Sequence, residues 1–315
     1  MACRFEITLP GTAAYDIPAA REALDVVDAI EAAFSVYRED SEVSVLNRAT
    51  VGRAATVSPE LLGLLARSLA LYTETGGAFD VTSTPLSRAW GFFRREGRLP
   101  AASEIDAALA RVGMDKLALD ESARTVRFLE PGAELNFNAI GKGFALDRIA
   151  SGLRRRGVKH ALLSAGGSSV LAIGGGRRGF AVDIRSRHAA GPLARLRIHD
   201  AALGTSGAGE QFFEAEGRRF GHVLDPRSGW PAQGSLSVSV VADEAATADA
   251  LATAFFVGGA ELARRYCAEH PRILALVTPD QAPHEPLLFG AHEAVRFEPE
   301  GRGHEPLPNP KEAEA

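Results

Sequence analysis

Between residues 160 and 242 the chain offers one β-type run after another, with no regular helix between them. The runs are "HALLSAGGSSVLAIGG", "GFAVDIRS", "LARLRIHDAALGTSG", "FGHVLDP" and "SLSVSVVAD", separated by Gly, Pro, Ser and Asp clusters. Parallel neighbours need a crossover of about a dozen residues or more, usually a helix, whereas antiparallel strands turn back within a few. No strand–helix alternation organises the chain as a whole either. The expected fold class is therefore α+β, mainly antiparallel sheets with flanking helices, and not a doubly wound sheet.

Helical periodicity marks 17–34, with Ala20, Leu24, Val27, Ile30 and Phe34 expected to face inward. It also marks 59–75, entered at Ser58-Pro59 and closed by Gly76-Gly77, then 103–112, and a pair at 245–257 and 260–269. A short helix is expected around Val43 to Leu46, while "AFDVTSTPLSRAWGF" reads as an irregular segment shaped for a ligand. "CRFEITLPG" is a strand and turn, and "KLALD" with "TVRFLE" forms a hairpin around Glu121-Ser122. "AELNFNAIGKGFALDRIASGLRRRG" reads as strand, glycine turn, then helix, and "ILALVT" is a late strand. Residues 1–297 are expected to form one domain, or two intertwined α/β lobes, and the polar, Pro-rich residues 298–315 a disordered tail.

With 46% hydrophobic residues in 315, the chain is long enough for one large core or two coupled ones. A net charge of -5 with no basic block argues against nucleic-acid binding through phosphate neutralisation. No run approaches the ~20 apolar residues of a membrane span. Cys3 and Cys267 stand far apart without redox or metal spacing, which favours a reducing compartment.

Three stretches carry candidate chemistry. In "NAIGKGFALD", Gly141 and Gly143 flank Lys142, a plain strand-to-helix turn that also suits a phosphate. In "FGHVLDPRSGWP", His222 precedes ordinary turn residues, and Asp225 nearby admits an acid–base role beside a structural one. In "ATADALATAFFVGG", Asp249 and Thr253 share one face of an otherwise apolar helix. Each has a bland reading: a carboxylate favouring the positive helix start, a hydroxyl bonded back one turn. Together they also suit a hard cation such as Mg²⁺, which takes oxygen ligands.

Taken in order, "FSVYREDSEVSVLN", "TGGAFDVTSTPLSRAWGF", "LNFNAIGKGFALD", "LLSAGGSSVLAIG", "TSGAGEQFFEAEGRRFGHVLDPRSGWP" and "ATADALATAFFVGG" resemble the FAD:protein FMN transferase family, the ApbE-type flavin transferases. The likeness spans about residues 1 to 290. It implies Mg²⁺-dependent transfer of the FMN half of FAD to a Thr or Ser hydroxyl of a partner redox-protein subunit, releasing AMP. Carried over residue by residue, Asp249, Thr253 and the backbone carbonyl of Ala139 match the metal-binding positions. Met1, Tyr37, Ala78, Phe79, Asp80, Asn136, Lys142 and Leu224 match FAD-contacting positions. His222 is the candidate base.

Some positions depart from the family's pattern. Asn136 stands where Asp is frequent, Ser168 follows the double glycine where Asp is common, and an aromatic is missing around Ala208-Gly209. The alternatives to a transferase are an FAD pyrophosphatase, in which water replaces the acceptor, and a non-catalytic flavin-binding or carrier protein. A cytoplasmic location is expected, with export of a form whose leader is absent from this chain as the alternative.

Overall fold

The computed structural model describes residues 3–10, 16–185, 192–209, 211–282 and 284–298. Its helices are α1 (Ile17–Phe34), α2 (Glu42–Asn47), α3 (Pro59–Glu74), α4 (Thr84–Ala89), α5 (Ala102–Leu109), α6 (Gly141–Arg155) and α7 (Ala245–Glu269). The first strands are β1 (Phe5–Thr8), β2 (Ala55–Thr56), β3 (Leu117–Asp120), β4 (Thr125–Phe128), β5 (Ala161–Ala165), β6 (Ser169–Ile173) and β7 (Phe180–Arg185). Then come β8 (Pro192–Ile198), β9 (Ala202–Gly207), β10 (Phe212–Ala215), β11 (Arg218–Gly221) and β12 (Ser235–Ala242). β13 (Leu274–Pro279), β14 (Leu287–Gly290) and β15 (Val295–Glu298) complete the set.

Seven strands form the central sheet in the order β1-β5-β6-β9-β12-β13-β14. Every neighbouring pair in it is antiparallel, as the α+β reading requires. Two of its inner strands, β6 and β13, read as nearly continuous apolar runs because both faces are covered. In β6, Leu171 and Ile173 join the core under the helices, while Val170 and Ala172 face a second core. β13 repeats the division, with Ala275 and Val277 on one side and Leu274 and Leu276 on the other. That second core is closed by the β15-β8-β7 sheet through Ile184, Leu196 and Ile198. A third cluster gathers Leu86, Trp90, Phe92, Ile105, Phe220 and Leu224 beside the β10–β11 hairpin.

The first half of α7 is buried on all sides from Ala245 to Val257, with Thr253 alone partly exposed. A helix apolar all round belongs inside a protein. It lies between α6 and strands β9 and β12 at backbone contact distance. A Cβ on Gly204 of β9 would stand 2.6 Å from the Asp249 nitrogen, and one on Gly143 of α6 would run into the Ala245 carbonyl. The expected pair of helices is present, the two halves of α7 meeting at a kink where Gly259, at φ 70°, interrupts the helical backbone.

Several expectations are corrected. "AELNFN" is not a strand, apart from an isolated bridge between Ser83 and Glu134. The Asn47 side chain pairs with both backbone groups of Leu135, at 2.8 and 2.9 Å, and Asn136 N–H donates to Val81 O, so no ladder is needed. "LARLRIHDAALGTSG" is two strands in two sheets, broken where Asp200 turns left-handed at φ 40°. Leu24 is exposed, and the inward stripe of α1 runs through Ala23, Val27, Ile30 and Phe34. "AFDVTSTPLSRAWGF" contains α4, and the fifth helix is 102–109 rather than 103–112. "FGHVLDP" is a strand only to Gly221. Glu298 closes β15 rather than opening a tail, and residues 299–315, like Met1, lie outside the described residues.

Gly204→Ala is expected to lower stability in denaturant unfolding by about 1–3 kcal/mol, because backbone cannot yield as a side chain can. Gly63→Ala, in α3 with nothing within 4 Å of the new methyl, is the opposite control and is expected to gain up to about 1 kcal/mol. Equal effects of the two would refute the close-approach account.

Candidate functional site

Asp249 is 6% exposed and sits where α6, β6 and α7 meet. Its Oδ2 accepts the Gly143 N–H at 2.7 Å and its Oδ1 accepts the Ser169 hydroxyl at 2.7 Å. Burial pushes its pKa up to about 6; the nearby Lys142 charge and these two hydrogen bonds pull the other way. An ionised carboxylate has about four acceptor sites, so one on each oxygen remains. The Gly143 N–H, expected to serve a phosphate cradle, is instead committed to this carboxylate.

Lys142 Nζ donates to Ser168 Oγ at 2.5 Å, which holds the ammonium over the Gly166-Gly167 turn between β5 and β6. One helical turn beyond Asp249, the Thr253 hydroxyl lies 3.3 Å from the Asp249 carbonyl and 3.1 Å from Ser206 Oγ. Of the two bland expectations for this helix, one is met and the other is not. Thr253 does bond back one turn, but the helix start is held by Asp147, not Asp249. Asp147 of α6 accepts the Ala245 and Ala246 N–H groups at 2.8 and 2.9 Å. Desolvation pushes its carboxyl up to about 7 against those two bonds.

The remaining candidates fall into two groups around this centre. Ala139 lies in the turn entering α6, one turn before Gly143. Asn136 caps the same loop, accepting Asn138 N–H at 3.0 Å. Ala78 and Phe79 are buried, so they shape their loop from within. Asp80 accepts both the N–H and the hydroxyl of Thr82, at 2.7 and 2.6 Å, and burial raises its pKa to about 6.

Tyr37 is 62% exposed, stacked at 5.2 Å on Phe93, which in turn carries Arg88 3.9 Å above its ring. Leu224 is buried in the Trp90 cluster and bridges to Pro231. His222 follows β11, and its Nδ1 lies 3.1 Å from the Gln211 carbonyl. Since a carbonyl only accepts, that contact puts the proton on Nδ1 and the basic lone pair of the neutral ring on Nε2. The Asp225 carboxylate is held by Arg227 at 2.8 Å.

Ser169, Ser206 and Asp147 escaped the sequence reading. Ser169 has one sequence signal, a polar residue opening an otherwise apolar strand, while Ser206 and Asp147 lie among other polar residues of β9 and α6. Among the described residues no group of three His, Cys, Asp or Glu forms a self-sufficient metal nest. The donors present are a carboxylate, hydroxyls and carbonyls. That set suits a cation completed by ligand oxygens, as Mg²⁺ is when it bridges one carboxylate and substrate phosphates.

Residues 1–277 match the model of the ApbE family. A relative named FAD:protein FMN transferase from Treponema pallidum is 32% identical over 89% of this chain and 82% of its own length. One from Klebsiella pneumoniae with the same name is 28% identical over 92% of this chain and 90% of its own. Among solved structures, the ApbE protein of Thermotoga maritima superposes with a TM-score of 0.81 at 27% identity, covering 92% of this chain and 93% of that one. The apo flavinyl transferase ApbE of Pseudomonas stutzeri gives 0.77 at 26%, covering 93% and 95%.

Asp249→Asn retains the shape of the centre, since its amide oxygen accepts from Gly143 and its NH₂ donates to Ser169. It is expected to melt at or above the wild-type temperature at pH 7. Asp249→Ala strands the Gly143 N–H and is expected to cost about 2–4 kcal/mol through that loss and a cavity; equal melting of the two variants would refute the arrangement. The folded pKa of Asp147, about 7, lies above its ordinary 3.8, so the folded chain holds a proton that the unfolded chain releases. This contribution to stability is full below about pH 4 and is lost as pH rises to 7. Without divalent ions, the melting temperature of Asp147→Asn relative to wild type is therefore expected to climb from pH 5 to pH 8. Parallel curves would contradict it.

Proposed function

Given that the chain belongs to the ApbE family, we propose that it works as an FAD:protein FMN transferase whose Asp249 centre handles the FAD pyrophosphate. Its relatives carry that activity in their names, and the chain is a transferase of this class. The finer reading is that the FMN half of FAD passes to a Thr or Ser hydroxyl of an acceptor redox protein, with Mg²⁺ present. The acceptor oxygen bonds to the FMN phosphorus, the bridging P–O bond breaks, AMP leaves, and the hydroxyl proton passes to a base.

The observation that carries this reading is the pair of oxygen-bearing side chains on one face of the first half of α7. In the buried first half of that helix a carboxylate, Asp249, and a partly exposed hydroxyl, Thr253, stand one turn apart, with Lys142 of α6 near enough to lower the carboxyl pKa. Asp249, Thr253 and the Ala139 carbonyl would hold Mg²⁺, which when bound would neutralise charge on the pyrophosphate. Lys142, fixed by Ser168, holds a positive charge for the phosphates. Tyr37, backed by Phe93, offers its outer face to an aromatic ring of FAD. His222, with Nδ1 tied to the Gln211 carbonyl, is the candidate base for the hydroxyl proton.

No described helix is long and apolar enough to cross a membrane. Cys3 and Cys267 are both free thiols, which supports a reducing, cytoplasmic setting.

The test supplies FAD, Mg²⁺ and a candidate acceptor domain, and reads in-gel flavin fluorescence together with released AMP. Wild type is expected to release one AMP per flavin attached. Asp249→Asn is expected to fall by about 100-fold or more, the scale of a lost metal contribution. Transfer by that variant at the wild-type rate would end this reading of α7, and AMP with free FMN in the absence of acceptor would assign hydrolysis instead.

A further inference from the structure

A cavity of about 550 Å³ opens between Arg218, Asp225, Ser228, Trp230, Gln233 and Val257. None of the residues matched to FAD lines it. It nevertheless touches both halves of the proposed transfer centre. Val257 lies one turn beyond Thr253 on the same face of α7. On the other wall, Asp225 follows Leu224, and β11 runs from Arg218 to Gly221, immediately before His222. A second substrate reaching the base and the phosphates has this opening beside both.

The wall is rigid. Trp90 Nε1 donates to the Gly229 carbonyl at 2.8 Å, Arg227 pairs with Asp225, and the Asp225 N–H donates to the Trp230 carbonyl at 2.8 Å. Trp230 meets Trp90 edge-on at 5.3 Å and is still 43% exposed. Ser228 and Gln233 are exposed polar side chains on the same rim. The charge is unbalanced: Arg227 pairs with Asp225, while Arg218 has, among the described residues, no carboxylate within ion-pair distance and the Phe220 ring at 5.7 Å. The walls therefore carry an apolar ring, hydrogen-bonding side chains and one unmatched cation.

Resting on the transferase reading above, we propose that this cavity seats the segment of the acceptor polypeptide next to its Thr or Ser. An acidic side chain of that segment meets Arg218 and an apolar one packs on Trp230. The pairing is charge-assisted at a half-open site, so it supplies preference among acceptors more than bulk affinity.

The probes are three fluorescein-labelled 12-residue peptides with a central Thr, alike except for Asp, Asn or Lys at the flanking position. Binding to the FAD-loaded protein is read by anisotropy, and FAD affinity is read separately by flavin fluorescence. Wild type is expected to bind the Asp peptide about 10-fold more tightly than the Asn peptide. Arg218→Glu is expected to reverse the order so that the Lys peptide binds best, with unchanged FAD affinity and melting temperature. Trp230→Ala is expected to weaken all three about equally.

Equal binding of the three peptides by wild type, absence of binding included, overturns the proposal, as does an unaltered order in Arg218→Glu. A loss of FAD affinity in that variant also overturns it, because the cavity would then belong to the cofactor. The transferase reading fails separately, by peptides that bind in the expected order while no flavin is transferred to any acceptor.

Discussion

The bond from the Gly143 N–H to the Asp249 carboxylate exists only because two backbones lie closer together than side chains allow. α7 is pressed against α6 at Gly143 and against β9 at Gly204, and any Cβ at either point would meet main chain. Burial at that depth disfavours a charge, so the carboxylate is tolerable only with donors fixed in place. The close approach delivers one of them directly from a backbone. Ser169, at the start of β6, delivers the other from the sheet side. Asp147 completes the arrangement by holding the first N–H groups of α7, so helix, sheet edge and turn are set by one set of contacts.

The central sheet makes this possible by being covered on both faces. Were one face open to water, its strands would alternate polar and apolar residues. Here the three-stranded sheet β15-β8-β7 occupies the face opposite the helices, which leaves α7 fully enclosed on its own side. The break at Asp200 lets one stretch of chain serve both sheets, β8 in one and β9 in the other. Gly204 then falls in β9, where α7 crosses. The position of the polar centre is thus a consequence of how the sheets are layered.

The fold class was legible because antiparallel connectivity leaves a plain trace, strands in succession without crossover helices. The boundaries that failed did so for local reasons. Asn47 replaces a strand partner for Leu135 from 88 residues away, and no periodicity encodes that. Leu24 belongs to the apolar face of an ideal α1, yet Ala23 is the residue that meets the core, since the contact stripe is set by packing. Helical spacing placed Asp249 and Thr253 on one face. It could not supply Ser169, Ser206 or the loss of the Gly143 N–H to the carboxylate, because those bonds join segments 47 to 106 residues apart. Ala139 and Tyr37 enter the proposed site through the family resemblance alone; physical reading of the sequence had no means to name them.

Three desolvated aspartates differ in what their oxygens are bonded to, and that difference bears on the cation site proposed at Asp249. Asp80, Asp147 and Asp249 are all raised by desolvation. Asp80 is closed into its own turn by Thr82 and feels Asp115, a like charge. Asp147 uses both oxygens on the N–H groups of α7, and desolvation, with a smaller push from Glu244 and Asp249, raises its carboxyl to about 7. A cation arriving there would have to displace a proton and compete with a helix cap. Asp249 differs in having a cationic neighbour, Lys142, which keeps its pKa at about 6 despite deeper burial. It retains acceptor sites on both oxygens, so a cation completed by phosphate oxygens would not have to compete with a helix cap. The lysine that would repel such a cation also attracts the anionic ligand that must accompany it. The centre therefore favours the two together over either alone.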